Sequence, residues 1–107
     1  MLGSYDSSHF TTRTEDGSEI ISGGCSYGTG FCISWQNGAI LEADDINGAF
    51  VETIIDAARD RIEAYQQTIS KCDENQEAIE YLQLALAALN KRTNRKTSEG
   101  KEGTHKF

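Results

Sequence analysis

The chain has 107 residues, 37% of them apolar, no proline, and a formal net charge of −7. That length fits one domain with a limited core. The acidity speaks against DNA binding through the bulk surface, and no run of about 18 apolar residues offers a membrane-spanning helix. The charge is unevenly placed. Residues 1–90 hold four basic and fifteen acidic side chains, net −11, whereas residues 91–107 hold six basic and two acidic, net +4. A compact basic cluster on an acidic body suits a small anion. The start of the chain lacks the basic and apolar regions of a signal peptide, so a cytoplasmic setting is expected. Cys25, Cys32 and Cys72 fit a reducing compartment. Their odd number and loose spacing make no disulfide framework, and zinc would need four ligands at closer spacing. Buried or idle thiols are expected instead.

Residues 1–17 are polar and turn-rich, and read as a loosely attached segment. A β-hairpin region is expected over 18–42. Glu19-Ile20-Ile21-Ser22 forms a short strand that Gly23-Gly24 breaks. Gly28-Thr29-Gly30 is a fragment of a phosphate-loop pattern; without a following Gly-Lys-Ser or Gly-Lys-Thr it reads as a strand-entry turn. Phe31, Ile33 and Trp35 then alternate with Cys32, Ser34 and Gln36, the period of a half-buried strand, with Trp35 read as core. Asn37-Gly38 is a strong hairpin signal, with Ala39–Glu42 as the returning strand. Asp44 to Gly48 reads as a loop whose Asp45 or Asn47 caps a helix.

From about Ala49 the period changes. Phe50, Ile54, Ala58, Ile62, Tyr65 and Ile69 recur at spacings of three and four, predicting an amphipathic helix to about Ser70. Lys71-Cys72-Asp73 is a turn, and Asp73 with Gln76 resembles a capping box. In the next helix Ile79, Leu82, Leu86 and Leu89 form the stripe, and its end is expected near Asn94. The expected class is α+β: one domain over 1–107, an N-terminal antiparallel β-hairpin followed by a long antiparallel α-hairpin over 48–94, with a basic tail over 95–107. A helix of about 22 residues spans about 33 Å. Two such rods carry more apolar surface than a hairpin of strands can cover, so oligomerisation through the helices is expected.

Arg92, Arg95 and Lys96 are the strongest candidate site. At spacings of three and four they share a helix face, and guanidinium groups grip phosphates bidentately. The plainer alternative is a basic helix end complementing the dipole. Asn75 begins the second helix, where backbone N–H groups attract anions and its amide can read a base edge; it is otherwise a surface residue. Tyr65 is core by its place in the stripe, or a platform for a base. Tyr65 and Asn75 flank the interhelix turn, whereas Arg92 lies about 25 Å from Asn75 by helical rise. One chain cannot easily join them; an antiparallel dimer can. Nothing resembles a Ser-His-Asp set, a paired-carboxylate site or His-Glu-x-x-His, so no enzyme is expected.

Gly30-Phe31-Cys32-Ile33-Ser34-Trp35-Gln36-Asn37-Gly38, Asn47-Gly48-Ala49-Phe50-Val51-Glu52, Asp73-Glu74-Asn75-Gln76-Glu77-Ala78-Ile79, Arg92-Thr93-Asn94-Arg95 and Glu102-Gly103-Thr104-His105 together resemble the phage Thoeris anti-defence family, type one. The resemblance covers about residues 28–105. It implies a protein that sequesters the cyclic ADP-ribose isomers made by bacterial TIR-domain enzymes, in the cytoplasm of the infected host, without cleaving them and with no cofactor. It further implies a homodimer or dimer-based hexamer, and binding of cyclic di- or trinucleotides at separate sites in some members. The family's pocket, between protomers, maps by residue type and spacing onto Tyr65, Asn75, Arg92 and either Arg95 or Lys96, with Thr104 and His105 covering the ligand. The rival reading is a non-catalytic helical hairpin that oligomerises or binds a protein.

Overall fold

A computed structural model describes residues 3–38, 40 and 42–98, with side chains through residue 95. It divides into a β unit ending at Phe50 and a helical unit, Val51–Ser98. Each is taken by itself.

The β unit is a three-stranded antiparallel sheet in the order β1 (Tyr5–Arg13), β2 (Glu19–Gly28), β3 (Phe31–Ser34). The segment expected to be loosely attached therefore supplies a nine-residue edge strand. Its hydrophobic pattern is silent because every residue of β1 is exposed. What holds it is the backbone ladder to β2, supported by side-chain hydrogen bonds between Ser7 and Ser26 and between Thr12 and Ser22, both at 2.7 Å. The turn joining β1 to β2 is tied by Thr14 N–H to Ser18 C=O at 2.8 Å. Within it, hydrogen bonds from the Thr14 hydroxyl and the Ser18 backbone lower the Asp16 carboxyl to a pKa of about 2.

Gly23-Gly24 does not end a strand; it lies inside β2, where the register shifts between His9 and Thr11. Gly24 faces His9 with φ +123°, a region that side chains other than glycine's avoid. A Cβ there would stand 2.1 Å from the Ser8 carbonyl oxygen.

The hairpin turn after β2 is Thr29-Gly30, not Asn37-Gly38: Gly28 pairs with Phe31, and Gly30 takes φ +86°. The residues after β3 bond elsewhere. Trp35 bridges Ala49 in parallel, through Ala49 N–H to Ser34 C=O at 2.7 Å and Gln36 N–H to Ala49 C=O at 2.9 Å. The buried Gln36 amide spends both ends on the following loop. Its Nε2 donates to the Asp45 carbonyl at 2.9 Å, and its Oε1 accepts from the Asn47 and Gly48 N–H groups at 2.9 and 3.1 Å. Asn37 and Asn47 lock to each other by two further bonds, Asn37 N–H to Asn47 Oδ1 and Asn47 Nδ2 to the Asn37 carbonyl. The described residues of the expected return strand form no strand. Ile40 lies in no strand, a single 3-10 turn covers Ala43–Asp45, and Ala39 and Leu41 fall outside the described residues. Asn47 and Asp45 thus brace a loop rather than cap the next helix. Trp35 is half-buried, its indole N–H donating to Ser26 Oγ at 2.9 Å.

The helical unit is α1 (Val51–Tyr65) and α2 (Asp73–Ser98), packed along each other. α1 stops at Tyr65, short of the expected Ser70, because the next side chains bond the local backbone. Gln66 clamps Cys72, donating from Nε2 to its carbonyl and accepting its N–H at Oε1, both at 3.1 Å, and Thr68 Oγ1 donates to the Tyr65 carbonyl at 2.7 Å. Ile69, expected in the stripe, is fully exposed. α2 begins at Asp73, with Gln76 N–H donating to the Cys72 carbonyl at 3.4 Å, and runs past the expected end at Asn94 to Ser98. Asp73 and Glu74 in its first turn complement the helix dipole. Ile54, Ile55, Ile62, Leu82, Leu86 and Leu89 are half-buried, and Ile79, 3% exposed, is the one buried hydrophobic residue among those described. Cys25 is half-buried, while Cys32 and Cys72 are exposed rather than buried; all three are free thiols.

Gly24→Ala should destabilise the chain by about 2 kcal/mol or more, since a methyl group must displace backbone at a strained φ. Urea unfolding measures this; a change below about 0.5 kcal/mol would mean the bulge relaxes freely.

Candidate functional site

The candidate residues lie at the two ends of the helical unit. At the tip, the Gln66 clamp holds the turn between α1 and α2, and Asn75 Nδ2 donates to the Ser70 carbonyl at 3.1 Å. Asn75 is half-buried, and with its amide nitrogen engaged its Oδ1 is positioned to accept. Tyr65, in the last turn of α1, is 41% exposed. It is not the core residue that its place in the stripe implies.

Arg61 also belongs to the tip and was missed in the sequence. Its Nε donates to Tyr65 Oη at 3.3 Å, and its guanidinium carbon lies 5.4 Å from the ring centroid. The spacing of four, which puts both on one helix face, was the available signal. The hydrogen bond to Tyr65 strengthens the guanidinium's hold on its proton. Arg59, two residues earlier, has a different fate: it is closed between Asp56 at 2.8 Å and Glu63 at 2.6 Å.

At the base, α2 remains helical through Ser98, so Arg92, Arg95 and Lys96 keep the spacings that place them on one face. Arg92 is half-buried and Arg95 exposed. The Nε of Arg92 is buried without a hydrogen-bond partner among the described residues, as is Oε1 of Glu52. A buried charged donor left unpaired is costly, so this geometry favours a state in which an anion or another acceptor meets Arg92. Thr93 Oγ1 turns back to the Leu89 carbonyl at 3.2 Å and offers little to a ligand. The side chain of Lys96, and all of Thr104 and His105, lie outside the described residues.

Tip and base stay apart. α2 is continuous between Asn75 and Arg92, which keeps them about 25 Å apart by helical rise. The structure gathers Arg61, Tyr65 and Asn75 at one end and Arg92 with Arg95 at the other. Between them the outer side of α2 is apolar: Tyr81 and Leu84 are 63% and 65% exposed. An open groove of about 660 Å³ there is lined by Leu84, Ala87, Ala88, Asn90, Lys91 and Asn94.

No family model matches the chain. The chain is similar to the protein named Thoeris anti-defense 1 of Bacillus phage SBSphiJ7, with 37% identity over 73 residues, 68% of this chain and 51% of that protein. The chain therefore spans about half the length of that relative. This similarity bears out the family resemblance carried by the sequence motifs.

Arg92→Met should leave the stability of the ligand-free chain unchanged or raise it by up to about 1 kcal/mol, because the stem is kept and an unpaired buried donor is removed. Thermal unfolding of the two proteins without nucleotide checks this. A marked loss would mean that Arg92 is a structural residue.

Proposed function

We propose that this chain, as a relative of Thoeris anti-defense 1, is a phage anti-defence protein that binds and sequesters a cyclic ADP-ribose-type immune signal without cleaving it. The observation that carries the reading is the pair of complementary half-sites at the two ends of the helical unit. An aromatic on α1 and an amide on α2 occupy the tip, and a half-buried arginine whose Nε has no partner among the described residues occupies the base. Tyr65 stacks on the adenine, and Asn75 Oδ1 accepts from the base or ribose. Arg92 and a second cation, Arg95 or Lys96, neutralise the diphosphate. Thr104 and His105 cover the ligand.

In this reading the site is completed by a second copy running antiparallel, so that one protomer's tip meets the other's base. The exposed strip of Tyr81, Leu84, Ala87 and Ala88 supports such a contact, because small residues beside large ones let helices approach closely. A homodimer, or a hexamer built from dimers, is the proposed assembly, with cyclic di- or trinucleotides as further ligands at separate sites. Sequestration works by affinity alone. A nanomolar Kd corresponds to about −12 kcal/mol, within reach of an enclosed pocket with aligned cations. The same exposed strip is what would favour the rival reading, an interaction module with no nucleotide.

Two measurements separate these readings. The purified chain is incubated with cyclic ADP-ribose isomers, freed of unbound nucleotide, and denatured by heat. Recovery of intact nucleotide supports sequestration, an altered product means turnover, and no retained nucleotide leaves the interaction module. Arg92→Ala should abolish retention. Separately, Leu84→Glu should convert the assembly to a smaller species in size-exclusion chromatography and weaken retention with it. A Leu84→Glu protein of unchanged size would remove the proposed dimer face.

A further inference from the structure

Arg61 stands out among the cations of α1 because its charge is left uncompensated. The helix is rich in acids, and Arg59 is neutralised by two of them, Asp56 and Glu63. Arg61, two residues on, forms no ion pair with a carboxylate among the described residues; its recorded partner is the neutral phenol of Tyr65. Its neighbours at spacings of three and four are Ala57, Ala58, Ala64 and Tyr65, so its face of the helix carries no carboxylate to claim it, which leaves this cation open to a role in binding. Its geometry defines that role. Nε is engaged with Tyr65 Oη at 3.3 Å, and the guanidinium carbon lies over the ring, 5.4 Å from its centre. The guanidinium therefore lies over one side of the ring, and Nε, not a terminal nitrogen, makes the bond to the hydroxyl. The first turn of α2 beside it carries Asp73 and Glu74, so an anion reaching this tip needs a cation that no carboxylate has already claimed.

We propose that Arg61 is a ligand-contacting residue that braces the Tyr65 ring for stacking against an adenine and directs its terminal guanidinium N–H groups to the phosphates of the same nucleotide. The inference rests on the sequestration reading and deepens it. The tip becomes a complete recognition element for a base and its phosphate, rather than a stacking platform that depends on the neighbouring base for all its positive charge.

The test is isothermal titration of the full chain with cyclic ADP-ribose isomers at low and high salt. The proteins compared are the wild type, Arg61→Gln and Arg61→Lys, with circular dichroism confirming equal helicity. Arg61→Gln should weaken binding about tenfold to a hundredfold, as expected for loss of a charge-assisted hydrogen bond. Its affinity should also vary less with salt than that of the wild type, because one screened attraction is gone. Arg61→Lys should recover much of the salt dependence and part of the affinity. A merely structural arginine would not change the salt dependence. If the wild type binds and Arg61→Gln matches it in affinity and salt response, the Arg61 role is overturned while sequestration stands. If the wild type binds none of the isomers, the sequestration reading falls, and the Arg61 role with it.

Discussion

Ile79, 3% exposed, is alone among the described residues as a buried hydrophobic side chain, and that scarcity of core governs how the chain is built. A small chain buries a modest fraction of its surface, and here little of what is buried is hydrocarbon. Polar side chains take up the load. Gln36 fastens a loop by its amide, Ser26 links Ser7 to Trp35, and Gln66 closes the turn between the helices. Each bond adds little net free energy, yet each would be expensive to leave half-made. Such a fold is well specified in geometry and thin in hydrophobic driving force. Tyr81 and Leu84 of α2 leave further apolar surface in contact with water.

The parts legible in the sequence were those whose signal comes from burial. The helices showed themselves through Ile54, Ile62, Ile79, Leu82 and Leu86, which recur at helical spacing because one face of each packs on the other. β1 was illegible for the same reason reversed: a strand exposed along its whole length has no apolar alternation to display. The other misreadings came from side chains bonding backbone. Asn37-Gly38 carries a strong turn signal, but Asn47 and Gln36 draw that segment into a loop, and Thr29-Gly30 makes the hairpin. The stripe through Ile69 gave α1 an extra turn that Gln66 and Thr68 abolish.

The candidate site was legible by residue type more than by environment. Tyr65 and Asn75 were placed at the tip and Arg92 at the base, and α2 keeps them apart as helical rise requires. Residue type alone did not reveal the contrast between Arg59 and Arg61. Arg59 has Asp56 and Glu63 at spacings of three and four, whereas Arg61 has Ala57, Ala58, Ala64 and Tyr65 there, so one is neutralised and the other meets an aromatic. In a chain of net charge −7 the position of such a cation tells more than its presence.

The irregularity at Gly24 bears on what happens at the rim of the sheet. β1 is an outer strand nine residues long, exposed throughout, with neither proline nor lysine to deter a neighbour. Straight and regular, such a strand would template the addition of further strands, the route to fibrous aggregates. The register shift between His9 and Thr11 breaks the run of evenly spaced backbone groups near its middle and increases the local twist. Two positions in β2 that look like a flaw in the strand thus twist and interrupt the regular edge that a further strand would otherwise extend.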